Sequence, residues 1–125
     1  MSKPGRRGIT RIYYAAKYSA KGIKTTWQNE AAFRQECTLA FFLIPLAVFW
    51  GDTGVEKALL ISSVLFVLVV ELLNSAVEMV VDRIGSEHHE LSGYAKDMGS
   101  AAVMLSLCMV GVVWAAVFWD HLQVW

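Results

Sequence analysis

The stretch Glu71-Leu72-Leu73-Asn74-Ser75-Ala76-Val77-Glu78 lies inside an apolar run over residues 58–81, and its polar members Glu71, Asn74 and Glu78 recur at i, i+3 and i+7. That spacing puts them on one helical face. Ser75 lies beside the stripe and Asp82 continues it by one more turn. A carboxylate near the middle of a bilayer costs about 2.5–3.5 kcal/mol on insertion scales, so such a stripe points at a protein interior or a polar site and not at lipid tails.

The surrounding composition belongs to a membrane protein. Apolar residues make up 56% of the 125-residue chain and charged residues 18%. Residues 98–119 carry no charge and match the roughly 20 residues a spanning helix needs. Residues 37–50 form a shorter apolar stretch containing Pro45, which taken alone suits an interfacial or buried segment; extension back through Ala31, Ala32 and Phe33 makes a tilted span. Eleven basic and eleven acidic residues balance to zero, but Lys3, Arg6, Arg7, Arg11, Lys17, Lys21, Lys24 and Arg34 all precede or open the first span. The positive-inside bias then keeps the N-terminus cytoplasmic, puts the connector 51–57 outside, returns a polar loop over 82–97 to the cytoplasm and leaves the C-terminal end, with His121, in the periplasm. No cleavable signal peptide is visible. Zero net charge gives no reason to expect a nucleic-acid partner.

In the N-terminal segment Ile9, Ile12, Tyr13, Ala16, Ala20, Ile23 and Trp27 recur at helical spacing beside a strip of Lys17, Lys21 and Lys24. A basic amphipathic helix of this kind lies in the headgroup layer, either as an anchor for anionic lipid or as a wall over a site at the interface. The expected fold is an all-α membrane domain over residues 1–125, with an amphipathic surface helix at about 8–28 and transmembrane helices at about 31–50, 57–82 and 97–119. Cys37 and Cys108 both fall in apolar runs, so neither a disulfide nor a metal clamp is expected of them.

Glu30, Glu71, Glu78, Glu87, Glu90, Lys96 and Asp97, with Asn74, gather at or near the cytoplasmic boundary. Carboxylate and amide oxygens suit Mg²⁺, which bridges phosphates and keeps several waters, and a lysine beside them offsets phosphate charge. The set reads as a phosphoryl-transfer site or as solvated helix ends. Neither G-x-x-x-x-G-K-[ST] nor a kinase H-R-D or D-F-G set is present. His88-His89-Glu90 lacks zinc spacing and reads as a polar loop contact.

The runs Glu71 to Glu78, Val81-Asp82-Arg83-Ile84-Gly85-Ser86-Glu87-His88-His89-Glu90-Leu91-Ser92-Gly93 and Ala95-Lys96-Asp97-Met98-Gly99-Ser100-Ala101-Ala102-Val103 resemble the signature of the prokaryotic diacylglycerol kinase family. Thr10-Arg11-Ile12, Tyr18-Ser19, Lys21-Gly22, Trp27 and Asn29-Glu30-Ala31-Ala32-Phe33-Arg34-Gln35-Glu36 extend the resemblance over nearly the whole chain. The resemblance implies a homotrimeric bacterial inner-membrane enzyme, with sites at subunit boundaries, that transfers the γ-phosphate of MgATP to diacylglycerol. By position it implies Glu71 as general base with Asn74 as its polar partner, Glu30 and Glu78 as the metal carboxylates, and Lys96 and Asp97 in the catalytic set. Nucleotide contacts map to Arg11, Tyr18, Glu30, Glu78, Glu87, His88, His89, Lys96 and Asp97. Lipid-substrate contacts map to Arg11, Ala32, Phe33, Arg34, Gln35, Glu36, Trp50, Glu71, Ser100, Trp114 and Trp119. His88 stands where tyrosine is common in the family, and Tyr94 where arginine is frequent. An undecaprenol kinase of the same family and a non-enzymatic pore or scaffold lined by the polar stripe are the competing readings.

Overall fold

The computed structural model describes residues 7–124, which form four helices and, among those residues, no strand: α1 (Gly8–Asn29), α2 (Ala31–Trp50), α3 (Gly54–Ile84) and α4 (Glu90–Val124). α2, α3 and α4 are each long and apolar enough to cross a membrane. The central helix is α3, which packs against both α2 and α4, while α1 lies against α2 and α3 only.

Periodicity explains that order. Leu60, Val64, Val67, Glu71 and Ser75 are buried along α3 at steps of three or four. On α4, Ser106 and Val117 are buried and Val103, Val110 and Val113 half-buried at the same steps. A seam of this period is the one antiparallel helices use to interlock side chains over their length. On α2, Phe33, Ala40 and Ala47 recur every seven residues and face α3 with small or flat groups that let the helices approach. Buried Ser63 and Ser106 donate to Leu60 O and Val103 O of their own helices at 2.9 and 2.7 Å, so neither hydroxyl needs a partner across the seam.

One expectation about boundaries changes. Residues 82–97 are not a long loop: α3 runs to Ile84 and α4 starts at Glu90, leaving residues 85–89 as the connector. Both helices outrun their apolar stretches at the membrane boundary, where water solvates their outer face and Lys96 of α4 pairs with Asp82 of α3. Pro45 does not break α2, which is continuous from Ala31 to Trp50. The ring removes one N–H from the ladder, and the rest of the helix holds because unpaired backbone in lipid is costlier than a local bend.

The bundle buries little of its own apolar surface: the most apolar window of α2, α3 and α4 is 17%, 22% and 11% buried respectively. Phe41, Phe49, Val55, Met98 and Val112 are among the large side chains left outward. Such a surface is stable against acyl chains or another hydrophobic partner.

Candidate active site

One residue separates α1 from α2. Glu30 takes an extended conformation (φ −119°, ψ 109°) and serves as the end of α1 and the start of α2, with its N–H donated to Thr26 O at 2.8 Å. Arg34, one turn into α2, donates from Nη1 to Trp27 O at 2.6 Å, so a guanidinium tops the open carbonyls of α1 and fixes the elbow. The elbow turns the Glu30 carboxyl toward α3, within hydrogen-bonding reach of Glu78 and close enough to Asp82 to feel its charge. Partial burial first, then the Glu78 carboxylate and Asp82, hold the Glu30 carboxyl above its ordinary range.

Deeper along the same face, Glu71 is 4% exposed, and its carboxyl lies within hydrogen-bonding reach of Glu36 on α2 and in the field of Glu30 and Glu78. Asn74 bridges the two levels by donating from Nδ2 to Glu78 Oε1 at 3.4 Å. Gly99 of α4 faces it so closely that a Cβ there would collide with Asn74 Oδ1. Lys96 of α4 pairs with Asp82 Oδ1 at 2.9 Å and lies near Glu78.

Glu30, Glu36, Glu71, Glu78 and Asp82 therefore converge within one chain, with Lys96 as the cation among them. Buried polar atoms are normally hydrogen-bonded, and the exceptions call for a reason. Asn74 Oδ1 and Ser75 Oγ, two of the four buried side-chain polar atoms left without a partner among the described residues, belong to this region, and a third, Glu36 Oε2, is on the carboxyl that faces Glu71. A packed core that carried no chemistry seldom keeps such atoms, and water or a polar ligand in the site would satisfy them. Repelling carboxylates at Glu30 and Glu78, all-oxygen donors with an amide alongside, fit a hard divalent cation such as Mg²⁺ that completes its shell with water and phosphate.

The connector shapes the mouth. Val81, Asp82, Gly85, Glu87, His88 and Lys96 are among the residues around a hollow of about 220 Å³. His88 and His89 are both exposed. His89 Nδ1 accepts the Leu91 N–H at 3.1 Å, which gives this histidine a helix-capping task at the start of α4. Tyr94 donates its hydroxyl to Glu90 one turn back, so the departure from the frequent arginine is absorbed on the surface of α4.

The remaining expected positions scatter. Arg11 is exposed and Tyr18 half-buried on α1, which makes no close backbone approach to α4 and hence to Lys96 or the exposed Asp97. Ala32, Gln35 and Ser100 are exposed, and Phe33 is 2% exposed in the α2 seam. Trp50 and Trp114 stack at 6.1 Å between ring centroids at the end of the bundle away from Glu71, and Trp119 is exposed on the last turns of α4. Sequence reading placed Glu36 only with the lipid contacts and gave Asp82 no partner. The signal for Glu36 was available: it sits seven residues before Leu43 in a helix that is otherwise apolar on its inner face.

The sequence model of the family described as prokaryotic diacylglycerol kinase matches residues 17–118. The chain belongs to that family. It is similar to the diacylglycerol kinase of Haemophilus influenzae, 58% identical over 110 residues that cover 88% of this chain and 93% of the relative. The diacylglycerol kinase of Escherichia coli is 52% identical over 114 residues, covering 91% and 93%. That of Pseudomonas aeruginosa is 46% identical over 113 residues, covering 90% and 92%. The expected family resemblance and all-helical fold are thereby confirmed, and membership makes the chain a membrane-embedded kinase.

Proposed function

We propose that the protein transfers the γ-phosphate of ATP directly to the free hydroxyl of 1,2-diacylglycerol, giving phosphatidic acid and ADP, at the cytoplasmic face of a bacterial inner membrane. The observation that supports this reading is the near-complete burial of Glu71 beside two partnerless polar atoms, Asn74 Oδ1 and Ser75 Oγ, in a helix of membrane-spanning length. Family membership supplies the acceptor class.

The chemistry follows from where the groups stand. A lipid alcohol is a poor nucleophile, and general-base removal of its proton is worth about 10²–10⁴-fold. Glu71 takes that proton while the alcohol oxygen bonds to the γ-phosphorus and the bond to the β,γ-bridging oxygen breaks, releasing ADP. Asn74 orients the site by linking Glu71's turn to Glu78. Glu30 and Glu78 are the carboxylates that would hold Mg²⁺, which supplies charge neutralisation along the triphosphate. Lys96, freed from Asp82 or shared with it, places positive charge at the mouth, with Asp97, Glu87 and His88 flanking the nucleotide. The Ser75 hydroxyl lies in the acid cluster but makes no hydrogen bond to Glu71 or to any other base, which favours direct transfer over a phosphoenzyme.

Three chains of this kind would cover one another's outward apolar faces, in line with the homotrimer that the family resemblance implies. The deciding assay is transfer of labelled phosphate from ATP in mixed micelles, with diacylglycerol and undecaprenol as parallel acceptors. Dependence of ATP consumption on diacylglycerol is the expected result. Preference for undecaprenol, or ion conductance without ATP turnover, would overturn it.

A further inference from the structure

Another group of ligating side chains stands at the opposite end of the bundle. Asp52 lies in the turn after α2, Glu56 in the first turn of α3 and His121 near the end of α4. His121 Nε2 is 3.3 Å from Asp52 Oδ2 and 3.4 Å from Glu56 Oε2, and the three donor atoms all lie within 4.8 Å of one another. A charge-assisted hydrogen bond closes to about 2.7–2.9 Å, and neither carboxylate has closed on the nitrogen to that extent. Tetrahedral coordination at about 2.0–2.1 Å sets neighbouring ligand atoms about 3.4 Å apart, close to both separations seen here.

The donors are held before any ion arrives. Glu56 Oε2 accepts the Asp52 N–H at 2.6 Å, and the Thr53 hydroxyl accepts the Glu56 N–H at 3.1 Å, so the turn itself aims the Glu56 carboxylate. The His121 ring packs against Trp50 at 5.0 Å between centroids, and its side chain is 15% exposed. Asp52, by contrast, is 73% exposed and leaves a way in. Local helix spacing does not account for the group, because His121 is 65 residues from Glu56. Fifteen residues of α3 separate Glu56 from Glu71, about 22 Å at helical rise, so the two sites do not share a ligand.

We propose that Asp52, Glu56 and His121 form a binding site for a divalent transition cation of the zinc type, distinct from the acidic site around Glu71, that ties the α2–α3 turn to the last turns of α4. One imidazole with two carboxylates suits zinc, whereas Mg²⁺ takes oxygen donors in a regular octahedron. Three protein ligands leave a coordination position for water on the side where Asp52 meets solvent.

The test uses the full chain in nanodiscs after chelation and dialysis, with Co²⁺ as the spectroscopic probe and Zn²⁺ read by competition. Saturable binding of one Co²⁺ per chain, displaced by Zn²⁺ and not by Mg²⁺, is expected. It should weaken at least tenfold in His121→Ala, Glu56→Gln and Asp52→Asn. It should persist in the Glu30→Gln/Glu78→Gln and His88→Asn/His89→Asn chains. Zn²⁺ should also raise the Tm of the wild-type chain and of neither His121→Ala nor Asp52→Asn. Asp52 is an exposed turn residue, so its variant folds and keeps the test open if the His121 variant does not. Absence of saturable binding, binding unchanged in Asp52→Asn, or a metal-independent loss of Tm in His121→Ala as the sole effect would each overturn the site, the last by reducing the group to an ion pair.

Discussion

Gly99→Ala isolates the contact between α4 and the polar stripe. The new methyl would fall on Asn74 Oδ1, the far end of a short side chain, so Asn74 rotates away and the helices need not part. Stability should change little: alanine gains about 1 kcal/mol of helix propensity over glycine, which offsets most of the crowding and of the one long hydrogen bond that is lost. The cost falls on the site. Rotation breaks the 3.4 Å bond from Asn74 Nδ2 to Glu78 Oε1. Hydrogen bonds to charged groups contribute about 1.5–3 kcal/mol, and the length of this one puts it at the lower end. About 1.5 kcal/mol is roughly tenfold in turnover. ATP-to-diacylglycerol transfer should thus fall about tenfold with Tm nearly unmoved. Asn74→Ala should lose as much, and the double variant little more, because both remove one interaction. Normal turnover in Gly99→Ala, or losses that multiply in the double variant, would refute the linkage.

Glu71→Gln should keep fold and Tm, since the amide is cheaper to bury than a carboxylate, and lose about 10²–10⁴-fold in turnover; a correctly assembled variant with near-normal turnover would remove the general-base role. Glu30→Gln and Glu78→Gln should each raise the Mg²⁺ concentration needed for half-maximal rate and weaken MgATP use more than lipid use, and an unchanged Mg²⁺ dependence in both would reject them as ligands. Because Glu30, Glu71 and Glu78 meet within one chain, mixing Glu30→Gln with Glu71→Gln chains should restore no activity; recovery in verified mixed oligomers would show a site completed between chains. Cysteines placed at Thr53 and Glu90, in a cysteine-free background, should label from opposite sides of the membrane, the former from outside; labelling from one side would reject the three-span arrangement.

The stripe was legible because it breaks a rule. Polar groups at i, i+3 and i+7 in an apolar run announce a shared face, and that face proved to be the α3 seam on which Glu71 is buried with Leu60, Val64 and Val67. Position near the cytoplasmic boundary added Glu30, while Glu36 was placed only among lipid contacts. What composition could not carry was the reach of helices past the apolar stretch. Residues 82–97 look like a loop by polarity, yet polarity at a membrane boundary reports solvent and not backbone conformation: Tyr94 bonds Glu90 one turn back on α4, and Lys96 pairs α4 with Asp82 of α3.

Contacts between distant segments were the other illegible part. Helical spacing could put Glu36 on the inner face of α2, but nothing in the run Arg34-Gln35-Glu36 says that Arg34 closes the carbonyl end of α1 or that the partner of Glu36 is Glu71. Those two tasks are linked by geometry, because the elbow that Arg34 fixes is the same one that turns Glu30 toward Glu78. Arg34→Met therefore makes a sharp test of whether the elbow serves the site. The aliphatic stem keeps most of the packing, and the lost guanidinium frees the α1 carbonyls. An exposed helix-end cation contributes about 0.3–1 kcal/mol to stability, so Tm should move by only a few degrees. The Glu30 carboxyl, however, loses its fixed approach to Glu78, and a displacement of about 1 Å in a positioning group costs on the order of 10²-fold. The expected signature is a loss of MgATP turnover far larger than the loss of stability, partly recovered by Arg34→Lys, whose ammonium can reach the same carbonyls without spanning both. Equal proportional losses in stability and turnover would mean that the elbow merely holds the helix and does not place Glu30.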